Sequence, residues 1–299
     1  MFTPRDIVLE AFIDNLKVEL RNDHPSVEAP VMLALEEGVR VILTQLARSD
    51  ALYTNFDTAL TVGSMALRVA EGRQVAEGDV APEDLLHFLL AALGLYLGFV
   101  RDLLPGDGPE DVDDGLGGRL ALPLGGTDGT LLPSFNARSQ AFLRRRFAEH
   151  PVIDGDRLAR WVGAVPFPET GAEAAPASTW ARLLRGAHSL SLAADPAFIQ
   201  RMPRLFRQLD EVGLAKKLGY GHGAHDGNDR PRHALSALHC PGSALALPRA
   251  CSDAGARARR ASRLGQPPLR CAKAWAPLLL GPGAVLRKGG VRPKRLDCV

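Results

Sequence analysis

The chain predicts an all-α fold, and three observations carry that prediction. Apolar residues recur at the three- and four-residue spacing of a helix through most of the first 220 positions. Pro, Ser, Thr, Asp and Gly fall between those stretches, where helices start and stop. No segment alternates apolar and polar residues convincingly enough for a half-buried strand. The hydrophobic fraction of 46% in 299 residues is ample for a buried core.

The elements follow in order. Thr3-Pro4 opens the first helix, with Thr as N-cap and Pro in the first turn. Ile7, Val8, Phe12, Ile13 and Leu16 keep its apolar spacing, and Asn22–Pro25 stops it. Pro30 opens a second helix, with Leu33, Val41, Ile42 and Leu46 as core candidates, ending at Ser49-Asp50. A third is expected from about Asp57 to Glu71, closed by Gly72. Pro82-Glu83-Asp84 begins the fourth, where the acids of the first turn suit the helix dipole. Its apolar run, Leu85–Val100, spans 16 residues and is broken only by His87. That is shorter than the roughly 20 residues that cross a bilayer, so it reads as a core helix. Residues 104–133 are rich in Gly, Pro and Asp and predict a long loop, a feature often functional inside a compact domain. Helices are then expected over Phe135–Glu149, with Arg144, Arg145 and Arg146 on a solvated face, and over Asp154–Val165. Ala172–Ala177 reads as a flexible connection. Thr179–Leu192 and Asp195–Val212 close the set, with Pro203 kinking the last.

Composition changes after Tyr220. Residues 221–299 hold 14 Lys+Arg against 4 Asp+Glu, a balance of +10, whereas residues 1–220 hold 22 against 30, a balance of −8. The last 79 residues lack Glu, Ile, Phe, Tyr, Thr and Met, and they contain all four cysteines, Cys240, Cys251, Cys271 and Cys298. So little Ile, Phe and Val with so much Pro, Gly and Arg cannot offset the entropy of ordering. The expectation is a domain over 1–220 and a low-structure basic tail over 221–299, with translation out of frame as the sharper explanation. The first part has neither a disulfide framework nor a cysteine metal site. In the tail, His222, His225, His233, His239 and Cys240 fit no regular metal spacing. Its lone aromatic, Trp275, makes a nucleic-acid role unexpected despite the charge. The acidic, amphipathic N-terminus does not resemble a secretory signal, so a cytoplasmic protein with no membrane role is expected.

The chemistry is read from residues 87–107, HFLLAALGLYLGFVRDLLPGD. His87, Phe88, Ala91, Ala92 and Leu93, followed by Gly98, Phe99, Val100, Arg101, Gly106 and Asp107, give a stretch that resembles the central helix of the HD-domain metal-dependent phosphohydrolases. Three more segments extend the resemblance over roughly residues 5–220: SDALYTNFDTALTV (Ser49–Val62), TDGTLLPSFNARSQAFLRRRF (Thr127–Phe147) and RGAHSLSLAADPAFIQRMPRLFRQLDEVGLAKKLGY (Arg185–Tyr220). The resemblance implies an HD-domain-like helical bundle. It also implies metal ligands at Thr54, Asp57, Leu95, Tyr96, Phe135 and His188, where family members carry His and Asp. Leu95 and Phe135 have no lone pairs to offer, and the hydroxyls of Tyr96 and Thr54 stay protonated at neutral pH. Only Asp57 and His188 remain as ligands, too few for the usual three- or four-ligand site.

Two functions follow from the resemblance. The first is a degenerate HD protein, a noncatalytic binding or scaffold module with no cofactor. It would retain a phosphate-bearing small molecule near Arg101, Asp107, Thr127 and Asp128, positions that match the family around the long loop. The alternative is an active metal-dependent phosphohydrolase acting on phosphomonoesters or phosphodiesters with bound Mn, Fe, Zn or Mg. For Arg101 the competing reading is an ion pair with Asp102 or Asp107. For His87 the expectation is packing or hydrogen bonding within the core.

Overall fold

Helix start signals in the sequence are used where they were expected. In this computed structural model, residues 3–78, 80–165 and 178–217 are described. Helix α1 (Pro4–Asp23) begins with a capping box, in which Thr3 accepts from the Asp6 backbone and the Asp6 carboxylate accepts from the Thr3 N–H at 2.7 Å. Leu9, Ile13, Leu16 and Leu20 form its buried stripe. Helix α2 (Ala29–Leu46) follows, with Pro30 in its first turn. Helix α3 (Phe56–Glu77) is capped by Asn55 and continues six residues past Glu71, ending at Gly78 with φ +80°. Gly72 therefore does not stop it. A helix-interior Gly costs only about 1 kcal/mol, and the last turn is held by Arg73, whose guanidinium lies 4.2 Å over the Trp180 ring and pairs with Glu77.

Helix α4 (Pro82–Gly94) is buried from Leu85 onward and forms the centre of the fold. It packs against α3, α2 and two later helices, α6 (Gly155–Gly163) and α7 (Thr179–Ala194). Pro82–Phe99 has the length and apolar character of a membrane span, but 83% of that window is buried inside the protein. The side chains of Asp84 and His87 tie its first turns to the neighbours. Asp84 accepts from Trp180 Nε1 at 3.1 Å and pairs with Arg157. His87 Nε2 accepts the Asp154 N–H at 2.8 Å, at the N-cap of α6, and its Nδ1 contacts the Glu83 carbonyl. An Nε2 that accepts leaves the ring proton on Nδ1, so His87 is neutral, and burial holds its pKa below the ordinary value.

The apolar run does not stay helical to Val100. It unwinds at Leu95-Tyr96 and re-forms as a short 3-10 turn over Leu97–Phe99. The cause is helix α5 (Phe135–Arg146), which crosses closely there. A Cβ on Gly98 would fall 1.8 Å from the Phe135 carbonyl oxygen, so only glycine admits this approach. The backbone groups freed by unwinding find partners on α5. Ser139 Oγ donates to the Leu95 carbonyl at 3.1 Å and accepts the Gly98 N–H at 2.8 Å, and Arg138 Nε donates to the Gly98 carbonyl at 3.0 Å.

The long segment before α5 is more ordered than the expected loop. It carries two three-residue antiparallel strands, β1 (Asp111–Asp113) and β2 (Arg119–Ala121), paired Asp111↔Ala121, Val112↔Leu120 and Asp113↔Arg119. Three residues are too few for alternation to be legible, and only Val112 is buried. A 3-10 turn, Asp128–Leu131, leads into α5, which ends at Arg146 with Arg144, Arg145 and Arg146 exposed. Helix α8 (Phe198–Glu211) runs through Pro203, and α9 (Leu214–Lys217) follows. With these nine helices and one small hairpin among the described residues, the fold is all-α. The connection expected at Ala172–Ala177, the boundary at 220 and the basic tail lie outside the described residues.

Candidate functional site

The unwinding after Gly94 sets the geometry of a cavity of about 30 Å³. It directs Leu95 and Tyr96 into a space that α5 closes with Phe135, α7 with His188, and the segment before α3 with Thr54. Five of the six positions at which the resemblance implies metal ligands, contributed by four separate stretches of chain, line one cavity. Tyr53, Phe99, Leu192 and Leu205 add to its largely apolar wall, where Phe99 and Phe135 stack with ring centroids 4.7 Å apart.

The sixth position is not brought in. Asp57 is exposed in the first turn of α3. Phe56 takes the inward direction there, 3% exposed, and one residue of helical rotation carries Asp57 round toward solvent. The two residues able to ligate a cation, Asp57 and His188, are thus not gathered at one site.

The polar side chains at the cavity are uncharged, and His188, Tyr96 and Thr54 each have a hydrogen-bond partner. His188 Nε2 lies 2.8 Å from the Tyr96 hydroxyl. Burial lowers the His188 pKa to about 4 and pushes that of Tyr96 well above 10, so both are neutral at pH 7. Gln208 holds the other side. Its Nε2 donates to Thr54 Oγ1 at 2.6 Å, while its Oε1 accepts the N–H of Tyr53 at 2.8 Å and of Thr54 at 3.1 Å. Gln208 is 1% exposed, and sequence reading gave it no role; a lone polar residue on the buried stripe of an amphipathic helix was the available signal. Tyr53 is also buried, and its pKa rises to about 12 from burial first and the Asp195 charge second.

A divalent cation does not fit this donor set. Such ions need several imidazole or carboxylate ligands with free lone pairs. Among the described residues the cavity offers one imidazole, paired with Tyr96, and the protonated hydroxyls of Tyr53, Thr54 and Tyr96, but no carboxylate. Among the described residues no cluster of three or more His, Cys, Asp or Glu is positioned for a metal.

The four residues expected around a phosphate each have protein partners. Arg101 pairs with neither Asp102 nor Asp107. Its Nε lies 2.9 Å from Asp128 Oδ1, and its Nη2 donates to the Gly126 carbonyl. Asp128 is 4% exposed; its N–H donates to Asp50 Oδ1 at 2.6 Å and its Oδ2 accepts the Asp50 N–H at 3.2 Å. Burial, and then the nearby Asp50 charge, raise its pKa to about 6. Thr127 donates to Glu211 at 2.6 Å and caps the turn at Gly129. Asp107 is held by Arg138 and by the N–H groups of Leu103, Leu104 and Asp113. The Asp107–Arg138 pair is sealed from solvent, with side chains 1% and 0% exposed. Arg138 is a second residue that sequence reading passed over, being one Arg among several on α5.

Fold and cavity together define the class: an all-α protein whose central helix breaks over a small, uncharged, mostly apolar chamber. The chain belongs to the Npun_R2479-like family, whose model matches residues 2–234. No curated protein and no solved structure matches it.

Proposed function

We propose that this protein is a degenerate HD-type phosphohydrolase homologue that works as a noncatalytic binding or scaffold module in the cytoplasm. One observation carries the reading: Thr54, Leu95, Tyr96, Phe135 and His188, drawn from remote parts of the sequence by resemblance alone, line a single cavity. Their convergence supports the reading, and Asp57 alone stays outside the cavity. Their chemistry is that of a metal centre refilled with bulk. Leu95 and Phe135 supply apolar volume, and two neutral hydrogen bonds, Tyr96–His188 and Thr54–Gln208, hold together elements that a shared cation would otherwise link. Buried polar groups left without partners would cost free energy, so losing the ligands together is physically coherent.

A phosphate-bearing ligand belongs at Arg101 in this reading, and it would compete there with Asp128 for the guanidinium. The test is metal analysis of the purified full chain together with assays on a generic phosphomonoester and phosphodiester. Substoichiometric metal and no turnover are expected, even with added Mn, Fe, Zn or Mg. Stoichiometric metal with hydrolysis overturns the proposal in favour of an active phosphohydrolase.

A further inference from the structure

The residual chamber is larger than packing needs. Protein interiors hold few voids bigger than a water molecule, and one water requires only about 10–15 Å³ of cavity. The cavity here offers about 30 Å³. Its walls are mainly Leu, Phe and Tyr rings and methyls, a surface that gains little from filling with water. Polar side chains among the lining residues are Tyr53, Thr54, Tyr96 and His188. Thr54 Oγ1 receives a hydrogen bond from Gln208 Nε2, which leaves the Thr hydroxyl proton free to donate. The Tyr96–His188 pair shares one hydrogen bond and keeps a further donor or acceptor site on the Tyr oxygen.

Among the described residues no Lys, Arg, Asp or Glu lines the chamber. An anion placed there would lose its hydration without gaining a counter-charge, at high cost. We propose that the cavity is a binding site for a small, uncharged, predominantly apolar molecule carrying one hydroxyl-like group. The inference deepens the noncatalytic reading on which it rests, because it gives the former reaction chamber a ligand class different from phosphate.

The closing experiment compares molecules of similar size and different charge on the isotope-labelled full chain. Xenon and 2-propanol are the neutral probes, and acetate and inorganic phosphate are the anions. Methyl signals of Leu95, Leu192 and Leu205 report the cavity, with exposed Leu33 as control. Saturable shifts confined to the three cavity residues are expected with both neutral probes, and affinity for acetate and phosphate at least tenfold weaker. Leu192→Phe, which fills the chamber, should abolish the response; should that variant fail to fold, the wild-type comparison of 2-propanol with acetate decides alone. Anions that shift the same signals as strongly, or neutral probes that never saturate, overturn the proposal. Metal content and turnover of the same preparation keep the two readings apart. A metal-free, inactive protein that takes up no probe refutes only this site, whereas a metal-loaded, active one refutes the noncatalytic reading beneath it.

Discussion

Arg138→Met is the most informative perturbation of the fold. The native guanidinium is 0% exposed and spends all five N–H groups. Nε donates to the Gly98 carbonyl at 3.0 Å, Nη2 to the Val100 carbonyl at 2.8 Å and to Asp107 Oδ2 at 2.8 Å, and Nη1 to Asp107 Oδ1 at 3.1 Å and to the Asp113 carbonyl. One side chain thus ties the broken end of the central helix, the following loop and the hairpin to α5. Methionine replaces the aliphatic stem but leaves three carbonyls short of a donor and the Asp107 carboxylate buried without its counter-ion. Removing one partner of a buried pair costs about 3–5 kcal/mol. At about 2–4 °C per kcal/mol for a domain of this size, the midpoint of thermal unfolding should fall by about 6–20 °C. Circular dichroism at 222 nm, with urea midpoints in parallel, measures the loss. Asp107→Asn in the same chain should recover part of it, because the orphaned charge is then gone, with a coupling of about 0.5–3 kcal/mol.

The pH dependence supplies a second readout. Burial would raise the Asp107 pKa, but the Arg138 hydrogen bond and the N–H groups of Leu104 and Asp113 outweigh it and hold the group below the carboxylate range. Stability from Asp107 is therefore present above about pH 3.9 and lost as pH falls through the lower folded value. In Arg138→Met that acid limb should move upward. A loss below about 1 kcal/mol, the range of exposed ion pairs, with an unmoved acid limb would refute this account of Arg138.

Three further outcomes are expected. Gly98→Ala puts a methyl 1.8 Å from the Phe135 carbonyl oxygen, an obstacle of backbone and not of movable side chain, so a loss of at least about 3 kcal/mol should appear in urea unfolding; a neutral substitution would contradict the close crossing. His188 has a folded pKa of about 4, so the wild type should lose up to about 3 kcal/mol as pH falls from about 6.5 through 4 while the unfolded imidazole takes up its proton. His188→Gln should flatten that part of the profile, and parallel curves for wild type and variant would count against it. Asp128 has the opposite sign: its pKa is raised to about 6, so its contribution is full below about 3.9 and disappears as pH rises through 6. Asp128→Asn should remove up to about 3 kcal/mol of that dependence, and an unchanged difference between pH 4 and 7 would argue against the buried carboxyl.

Helix starts were legible because capping is local chemistry. Thr3-Pro4, Pro30, Pro82 and Asp154 act within four residues of themselves, and each marks a real start. Helix ends were less legible. Gly72 carries the signal of a stop yet sits mid-helix, because Arg73 stacks on Trp180 from α7, a residue more than a hundred positions away. The break at Leu95-Tyr96 was hidden for a similar reason. An apolar run gives no sign that Ser139 and Arg138 will take over its backbone hydrogen bonds. Asp57 fell outside the cavity because rotation about α3 depends on which neighbour, here Phe56, wins the interior.

By itself the amino-acid sequence determined that this chain would be helical, where most of its helices would begin, and part of their inward faces: Ile13, Leu16, Ile42 and Leu46 are buried as expected, whereas Ile7, Val8 and the core candidate Leu33 are exposed. These follow from capping and periodicity, both of which act over a turn or two of chain. The tertiary structure alone decided that Arg138 and Gln208 would become buried anchors, that Arg101 would take Asp128 as its partner, and that five distant side chains would share one small chamber. Those choices are settled by which surfaces meet across the fold, and a hydrogen bond between residues 50 or 150 positions apart leaves no periodic trace in the letters between them.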